Sequence, residues 1–244
     1  NIKGILLEKN EITGSSGNGI FLQNLLDINS FSQVLVKGNK ITKSQLYGMV
    51  VMNVGCYSDT NEITENMKGG VLISDGGEKE YNDDFYKQYA LRNIFNCDNI
   101  HQNSDSGVII IGAGKGPIIF NACQLQGNAT NGLYIKQDHE GKTLSAAEEA
   151  KSSSRAGERN RDILLDKCNI YENLMSGVYV KSVIYGLYSK ETMIYGNNSF
   201  AVFIQRAEDK GKVVFKGENK NSKLKDFVSG QVGGAWGLLN EKGS

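Results

Sequence analysis

The sequence predicts an all-β fold, a right-handed single-stranded parallel β-helix of about eight coils, and three observations predict it. An aliphatic anchor recurs with a glycine seven positions later, aliphatic residues alternate on both sides of that pair, and a small amide or hydroxyl residue stands three positions after each anchor. A fixed unit repeated at this scale is the mark of a solenoid.

The anchors are Ile12, Ile41, Ile63, Ile100, Leu125, Ile170 and Ile194; the residues seven positions on are Gly19, Gly48, Gly70, Gly107, Gly132, Gly177 and Ala201. Because this spacing is constant while successive anchors lie 22 to 45 residues apart, length variation belongs elsewhere in the coil. Eight and ten positions after the anchors come pairs such as Met49 and Val51, Val108 and Ile110, or Val178 and Val180. The alternation is that of a strand with every second side chain inside. Seven and five positions before the anchors, Ile5 and Leu7, Val34 and Val36, Ile118 and Phe120, and Ile163 and Leu165 mark a second inward strand, with weaker matches at Cys56 and Ser58, Asn93 and Phe95, and Leu187 and Ser189. An eighth coil starts at Val213 and Phe215, but Lys220 stands at its anchor, so the β-helix is expected over 1–220 and a C-terminal cap or tail over 221–244. Amphipathic helices would repeat every 3.6 residues and would not take a glycine in each repeat.

Three positions after the anchors stand Ser15, Ser44, Asn66, Asn103, Asn128, Asn173 and Asn197. Stacked at about 4.8 Å per coil, they predict an amide ladder along the axis. The glycine column calls either for a positive φ or for a close approach of backbone.

Composition narrows function. The 244 residues are 39% hydrophobic, enough for a continuous core, and 27 basic residues balance 27 acidic ones. That balance gives no general attraction to nucleic acid or to an anionic membrane. No segment reaches the roughly 20 apolar residues of a membrane span, and the residues that follow Asn1 do not read as a charged-then-apolar leader. Cys56, Cys97, Cys123 and Cys168 lack paired metal-site spacing and read as reduced thiols of a cytoplasmic protein, with no metal and no cofactor expected. Cys123 and Cys168 share a column in adjacent coils, at a spacing a disulfide can span, but a cytoplasmic setting favours the free thiols.

Two insertions, about 74–92 and 137–162, both follow the strand that ends ten positions after the anchor, so they leave from one corner of the coil. The first is rich in acidic and tyrosine residues; in the second, Ser145 and Glu148 form a capping box that predicts a short helix over 146–156. Loops in such places often carry function.

The stretch Ile163-Leu-Leu-Asp-Lys-Cys-Asn-Ile-Tyr-Glu-Asn-Leu-Met-Ser-Gly-Val-Tyr-Val180 resembles the coil of the β-helix domains in the F-box substrate-receptor subunit of a ubiquitin ligase. It is similar as well to the β-helix of the SHC SH2-domain-binding protein group, which is associated with the mitotic and ciliary cytoskeleton. The resemblance runs from residue 1 to about 217, insertions excepted. It implies a protein-binding scaffold in the cytoplasm, in a cytoskeletal or ciliary assembly, or the substrate-recognition part of a ligase, although this chain shows neither an F-box nor an SH2-binding segment.

Carbohydrate-processing enzymes also use this fold, and they need clustered carboxylates with a base on neighbouring coils. Here Glu8, Lys37 and Asp59 share one outward column and Glu11, Lys40 and Glu62 another, which reads as alternating charge pairs rather than a catalytic cluster. Asp138-His139-Glu140 lies in an insertion without the flanking residues of an epimerase motif. Gly112-Ala-Gly-Lys-Gly116 fits no phosphate-loop pattern and reads as a corner turn. The sequons at Asn128 and Asn197 belong to the internal ladder. No catalytic residue is expected.

The informative outward column lies nine positions after the anchors: Phe21, Val50, Leu72, Ile109, Tyr134, Tyr179 and Phe203. Every member is apolar or aromatic where a wetted sheet face would be polar. A second outward column, six positions before the anchors, runs Leu6, Leu35, Tyr57, Ile94, Ile119, Leu164 and Tyr188. Patches this long are normally covered by the chain itself or by another protein, and the first column supplies the candidate partner-binding residues. Sugar stacking on Tyr134 and Tyr179 is the alternative. Residues 1–10 already form a core strand, so a partner or preceding chain is expected over that end, while Phe227, Val232, Trp236, Leu238 and Leu239 are candidates for a plug at the other.

Overall fold

The computed structural model describes residues 4–23, 33–74, 92–112, 116–137, 162–182 and 186–205, and the strands Val213–Lys216, Phe227–Ser229 and Trp236–Leu239. It is all-β in these residues, a right-handed parallel β-helix of about eight coils. Three parallel sheets run along the axis. The first has nine strands, from Gly4–Glu8 to Trp236–Leu239; the second seven, from Glu11–Thr13 to Met193–Tyr195; the third eight, from Ile20–Gln23 to Phe227–Ser229. Each of the first seven coils places one strand in each sheet, in the order first, second, third.

The register follows the sequence columns. Ile12 pairs with Ile41, Ile41 with Ile63, Ile63 with Ile100, and so on to Ile194. The inward positions form one continuous core: Val36, Ile41, Met49, Ile63, Val71, Phe95, Ile100, Val108 and Phe120 have no exposed surface. Burying each such side chain contributes roughly 1.5–3 kcal/mol. Phe95 and Phe120 stack inside with centroids 4.9 Å apart. Ile5, in the first coil, is 39% exposed, and Leu7 and Ile12 are only partly buried against the core. Phe227–Ser229 and Trp236–Leu239, expected in a terminal cap, pair in parallel with Val202–Ile204 and Val213–Lys216.

The amide ladder is present. Each of Asn66, Asn103, Asn128 and Asn173 donates its side-chain amide to Oδ1 of the next member, at 2.8–3.0 Å, and the same Oδ1 accepts the main-chain N–H. The amide of each later member also reaches the anchor carbonyl of the coil before it, as Asn173 does at Leu125.

The glycine column owes its existence to close approach, not to a positive φ. A Cβ on Gly48 would lie 2.7 Å from Asn66 Nδ2 and 2.9 Å from the Gly70 carbonyl, and would press into Cγ2 of the next anchor, Ile63. Gly19, Gly70, Gly132 and Gly177 meet the next anchor's Cγ2 in the same way. Ala201 follows the last anchor of the second sheet, Ile194, and that sheet offers no described strand beyond it to crowd the methyl group.

Most of the positive φ values lie at two other corners. Lys9, Gly38, Thr60, Cys97, Ala122, Lys167 and Glu191, three positions before the anchors, have φ between 50° and 61°. Gly14, Lys43, Glu65, Gln102, Gly127, Glu172 and Gly196, two positions after, have φ between 53° and 69°. The left-handed conformation costs a non-glycine residue about 1–2 kcal/mol. Coil-to-coil hydrogen bonds offset it, since the N–H of Lys9, Thr60, Cys97 and Lys167 donates to the carbonyl of the neighbouring coil at 2.9 Å.

Length variation is confined to the corner between the third and first sheets. The chain leaves at Ser74 and re-enters at Asn93, and leaves at Lys136 and re-enters at Ile163. The helix expected over 146–156 and the Asp138-His139-Glu140 triplet lie outside the described residues.

Candidate functional site

The outward columns sort themselves by chemistry. On the first sheet, Glu8, Lys37, Asp59 and Asn96 are register neighbours, and Lys37 Nζ lies 3.4 Å from Asp59 Oδ2. Asn96 donates to the other Asp59 oxygen at 2.8 Å and accepts from Asn121 at 2.7 Å. Glu62, on the second sheet, sits between Lys40 and Asn99 in register, with His101 Nε2 at 3.6 Å. Asp59 is therefore engaged with a cation and an amide of adjacent coils, and Glu62 lies against the His101 ring. Among the described residues, no group of three or more His, Cys, Asp or Glu side chains is arranged to hold a metal ion.

The column two positions before the anchors forms a second internal ladder that sequence reading saw only as a cysteine pair. Its members are Asn10, Asn39, Asn61, Asp98, Cys123, Cys168 and Thr192. Each donor here reaches a carbonyl one coil back: Asn39 to Leu7, Asn61 to Val36, Cys123 to Phe95, Cys168 to Phe120 and Thr192 to Leu165, at 2.9–3.4 Å. All four cysteines are free thiols, three of them buried. The hydrogen bond with Cys168, then burial, holds the Cys123 thiol well above its usual range. Burial and the nearby Asp98 push Cys56 up to about 12.

Asp98 breaks the pattern. It is fully buried, its Oδ1 accepts from Asn61, and its Oδ2 has no hydrogen-bond partner. Ser58 Oγ is close enough to steady the charge but is not in hydrogen-bonding geometry with Oδ2. Burial outweighs these polar neighbours and pushes the carboxyl up to about 6.

The seven candidate partner-binding residues stack in register on the outside of the third sheet: Phe21 on Val50, Val50 on Leu72, Leu72 on Ile109, then Tyr134, Tyr179 and Phe203. Their accessibility is uneven. Val50 and Ile109 are buried, at 2% and 7%, whereas Phe21 is 52% exposed and Leu72, Tyr134, Tyr179 and Phe203 are half-buried. The rings form a ladder, with centroids 5.4 Å apart from Tyr134 to Tyr179 and 5.1 Å from Tyr179 to Phe203, and the Tyr179 hydroxyl donates to Gln205 Oε1 at 2.6 Å. The first sheet's outer column, from Leu6 at 58% exposure to Tyr188, is half-buried along most of its length.

Beside the ring ladder lies a cleft of about 520 Å³. One wall is Tyr134, Tyr179 and Phe203. The other is the turn between the second and third sheets, five and six positions after the anchors, where Asp105, Ser106, Thr130, Asn131 and Ser176 succeed one another along the axis. These polar groups are hydrogen-bonded among themselves. Asp105 Oδ1 accepts from Thr130 Oγ1 at 2.6 Å and from the Ser106 N–H at 2.7 Å, Ser106 and Thr130 hydroxyls lie 2.7 Å apart, and the Ser176 N–H donates to Asn131 Oδ1. Tyr47 closes one end, its ring lying against Gly69, where an added Cβ would sit 3.3 Å from it. The phenol of Tyr47 is raised by burial and by the charge of Asp105. Sequence reading found the aromatic wall and missed the polar one, whose run of small hydroxyl, amide and acid residues just before Gly107, Gly132 and Gly177 was the available signal.

These features define a parallel β-helix with an aromatic-walled cleft on its third sheet. No family model matches the chain, and comparison with curated proteins and with solved structures finds no match.

Proposed function

We propose that the chain is a non-enzymatic protein-interaction module, a stiff scaffold that receives a partner protein on the outer face of its third sheet. The observation that carries this reading is the half-buried ring ladder of Tyr134, Tyr179 and Phe203 along a cleft large enough for several side chains. Aromatic residues of this kind anchor protein interfaces, because they bring large contact area at low entropic cost. The module works in the cytoplasm, within a cytoskeletal or ciliary assembly, and needs no cofactor, nucleic acid or membrane; an F-box elsewhere in the parent protein would make it the substrate-recognition part of a ubiquitin ligase.

The test is co-purification with the natural assembly, followed by binding to the isolated partner. The wild-type chain is expected to hold a partner that a Tyr179→Ser, Phe203→Ser variant releases at least tenfold more readily. Equal retention by a folded variant overturns the reading.

Carbohydrate binding is the second reading, favoured by tyrosine rings facing the Ser106 and Thr130 hydroxyls across one cleft. Cleavage, epimerisation or saturable binding of uronan polymers, lost on changing Asp59 and Glu62 for an enzyme or Tyr134 and Tyr179 for a binder, would establish it over the first.

A further inference from the structure

We infer that the cleft on the third sheet is a receptor for a cationic side chain, arginine or lysine, presented by the protein partner. The inference rests on the protein-interaction reading above and specifies what that partner must carry. Its basis is the charge and aromatic character of the cleft together.

Asp105 is the only charged residue among the described residues lining the cleft, and no described lysine or arginine lines it. Lys68, one coil before Asp105 in the same column, is exposed and forms no ion pair with it among the described residues. All the hydrogen bonds that the Asp105 carboxylate accepts from described residues end on Oδ1: from Thr130 Oγ1, from the Ser106 N–H and from Ser106 Oγ. They fix the carboxylate in place and leave Oδ2 as the acceptor that a guanidinium or ammonium group can approach.

The surroundings suit a cation as well. The rings of Tyr47, Tyr134, Tyr179 and Phe203 line the same space, and the negative face of an aromatic ring attracts a cation, most strongly where water is thinned out. A carboxylate beside aromatic faces selects for positive charge on a long apolar stem, which packs against Ile109, Ile111 and Met175 in the lining. A neutral sugar would use the hydroxyls but would leave the carboxylate without a counter-charge.

The probe is the peptide acetyl-Gly-Arg-Gly-amide, titrated into the isotopically labelled full chain and followed by NMR at Thr130, Asn131 and Ser176. The control peptide carries norleucine, which has the stem without the charge. The arginine peptide is expected to shift these resonances in a saturable way, to lose at least fivefold in affinity between about 50 and 500 mM salt as screening demands, and to lose at least fivefold with Asp105→Asn, which keeps Oδ1. Equal affinity for norleucine, insensitivity to salt, or shifts produced by neutral oligosaccharides and not by arginine would overturn the proposal. If the arginine peptide fails while the Tyr179→Ser, Phe203→Ser variant still releases its partner, the cationic receptor falls and the interaction module stands. If that variant also retains its partner, both fall.

Discussion

The main-chain N–H and side-chain amide of Asn61 both donate to Oδ1 of Asp98, at 2.7 and 3.0 Å, while Oδ2 of the same carboxyl is buried with no partner. Every other ladder member with a described carbonyl contact gives a proton to the coil behind it; at this level the corresponding acceptor is the Ser58 carbonyl. An ionised carboxylate has no proton to give. A protonated one does, which makes the neutral form the better ladder member.

A pH dependence of stability follows. The folded carboxyl titrates at about 6 against an ordinary value of 3.8, so the folded state holds the proton more tightly than the unfolded state. The resulting stabilisation is fully present below 3.8 and is lost as pH rises through about 6. The loss amounts to about 3 kcal/mol at most. Asp98→Asn supplies a permanent amide donor of the same shape. Urea unfolding is expected to show the variant more stable than wild type at pH 8, by about 1–3 kcal/mol, with the advantage gone at pH 4. A variant of unchanged stability at pH 8 would contradict this account.

Ser44 exposes a second gap. Its N–H donates to Asn66 Oδ1 like the other members of the main ladder, but its Oγ is buried without a partner. Ser44→Asn places an amide within reach of Asn66 and of the Ile12 carbonyl, where the pattern of later coils puts one. Chemical denaturation is expected to show a gain of about 1 kcal/mol, the usual net worth of an added buried hydrogen bond. A loss greater than that would mean the second coil is too narrow for the side chain.

The glycine column gives the opposite sign. Gly48→Ala pushes a methyl group against the Gly70 carbonyl and the Ile63 side chain, and is expected to cost about 2–4 kcal/mol through overpacking of the core. Ala201→Gly, at the same place in the last full coil, is expected to cost only about 1 kcal/mol or less, a backbone-entropy effect. Comparable changes at the two sites, read from thermal unfolding, would count against crowding by the next anchor as the cause.

The coil was legible because its inside has to repeat: Ile41, Ile63 and Ile100 stack on one another, and Gly48 and Gly70 must stay bare for the next anchor. The amide ladder was legible for the same reason. The left-handed corners were not, because Lys9, Thr60, Cys97 and Glu191 share a backbone conformation and no side-chain chemistry. Nor was the second ladder, since Asn61, Asp98, Cys123 and Thr192 have in common only the capacity to give or take a hydrogen bond to the coil behind. The aromatic wall of the cleft stood out as an apolar outward column. Its polar wall did not, because Asp105, Thr130 and Ser176 alternate between two adjacent columns, and because Tyr47 reaches over Gly69 from two coils away.

The spacing of the Tyr134, Tyr179 and Phe203 rings has a further consequence for any chain laid along the axis. The ring centroids lie 5.4 and 5.1 Å apart, whereas an extended polypeptide presents side chains on one face every 6.6–6.8 Å or so. The two rulers are out of step. An extended partner running along the solenoid can centre one side chain on the ladder but not several in succession, so recognition falls on a single position and its neighbours slide past unread.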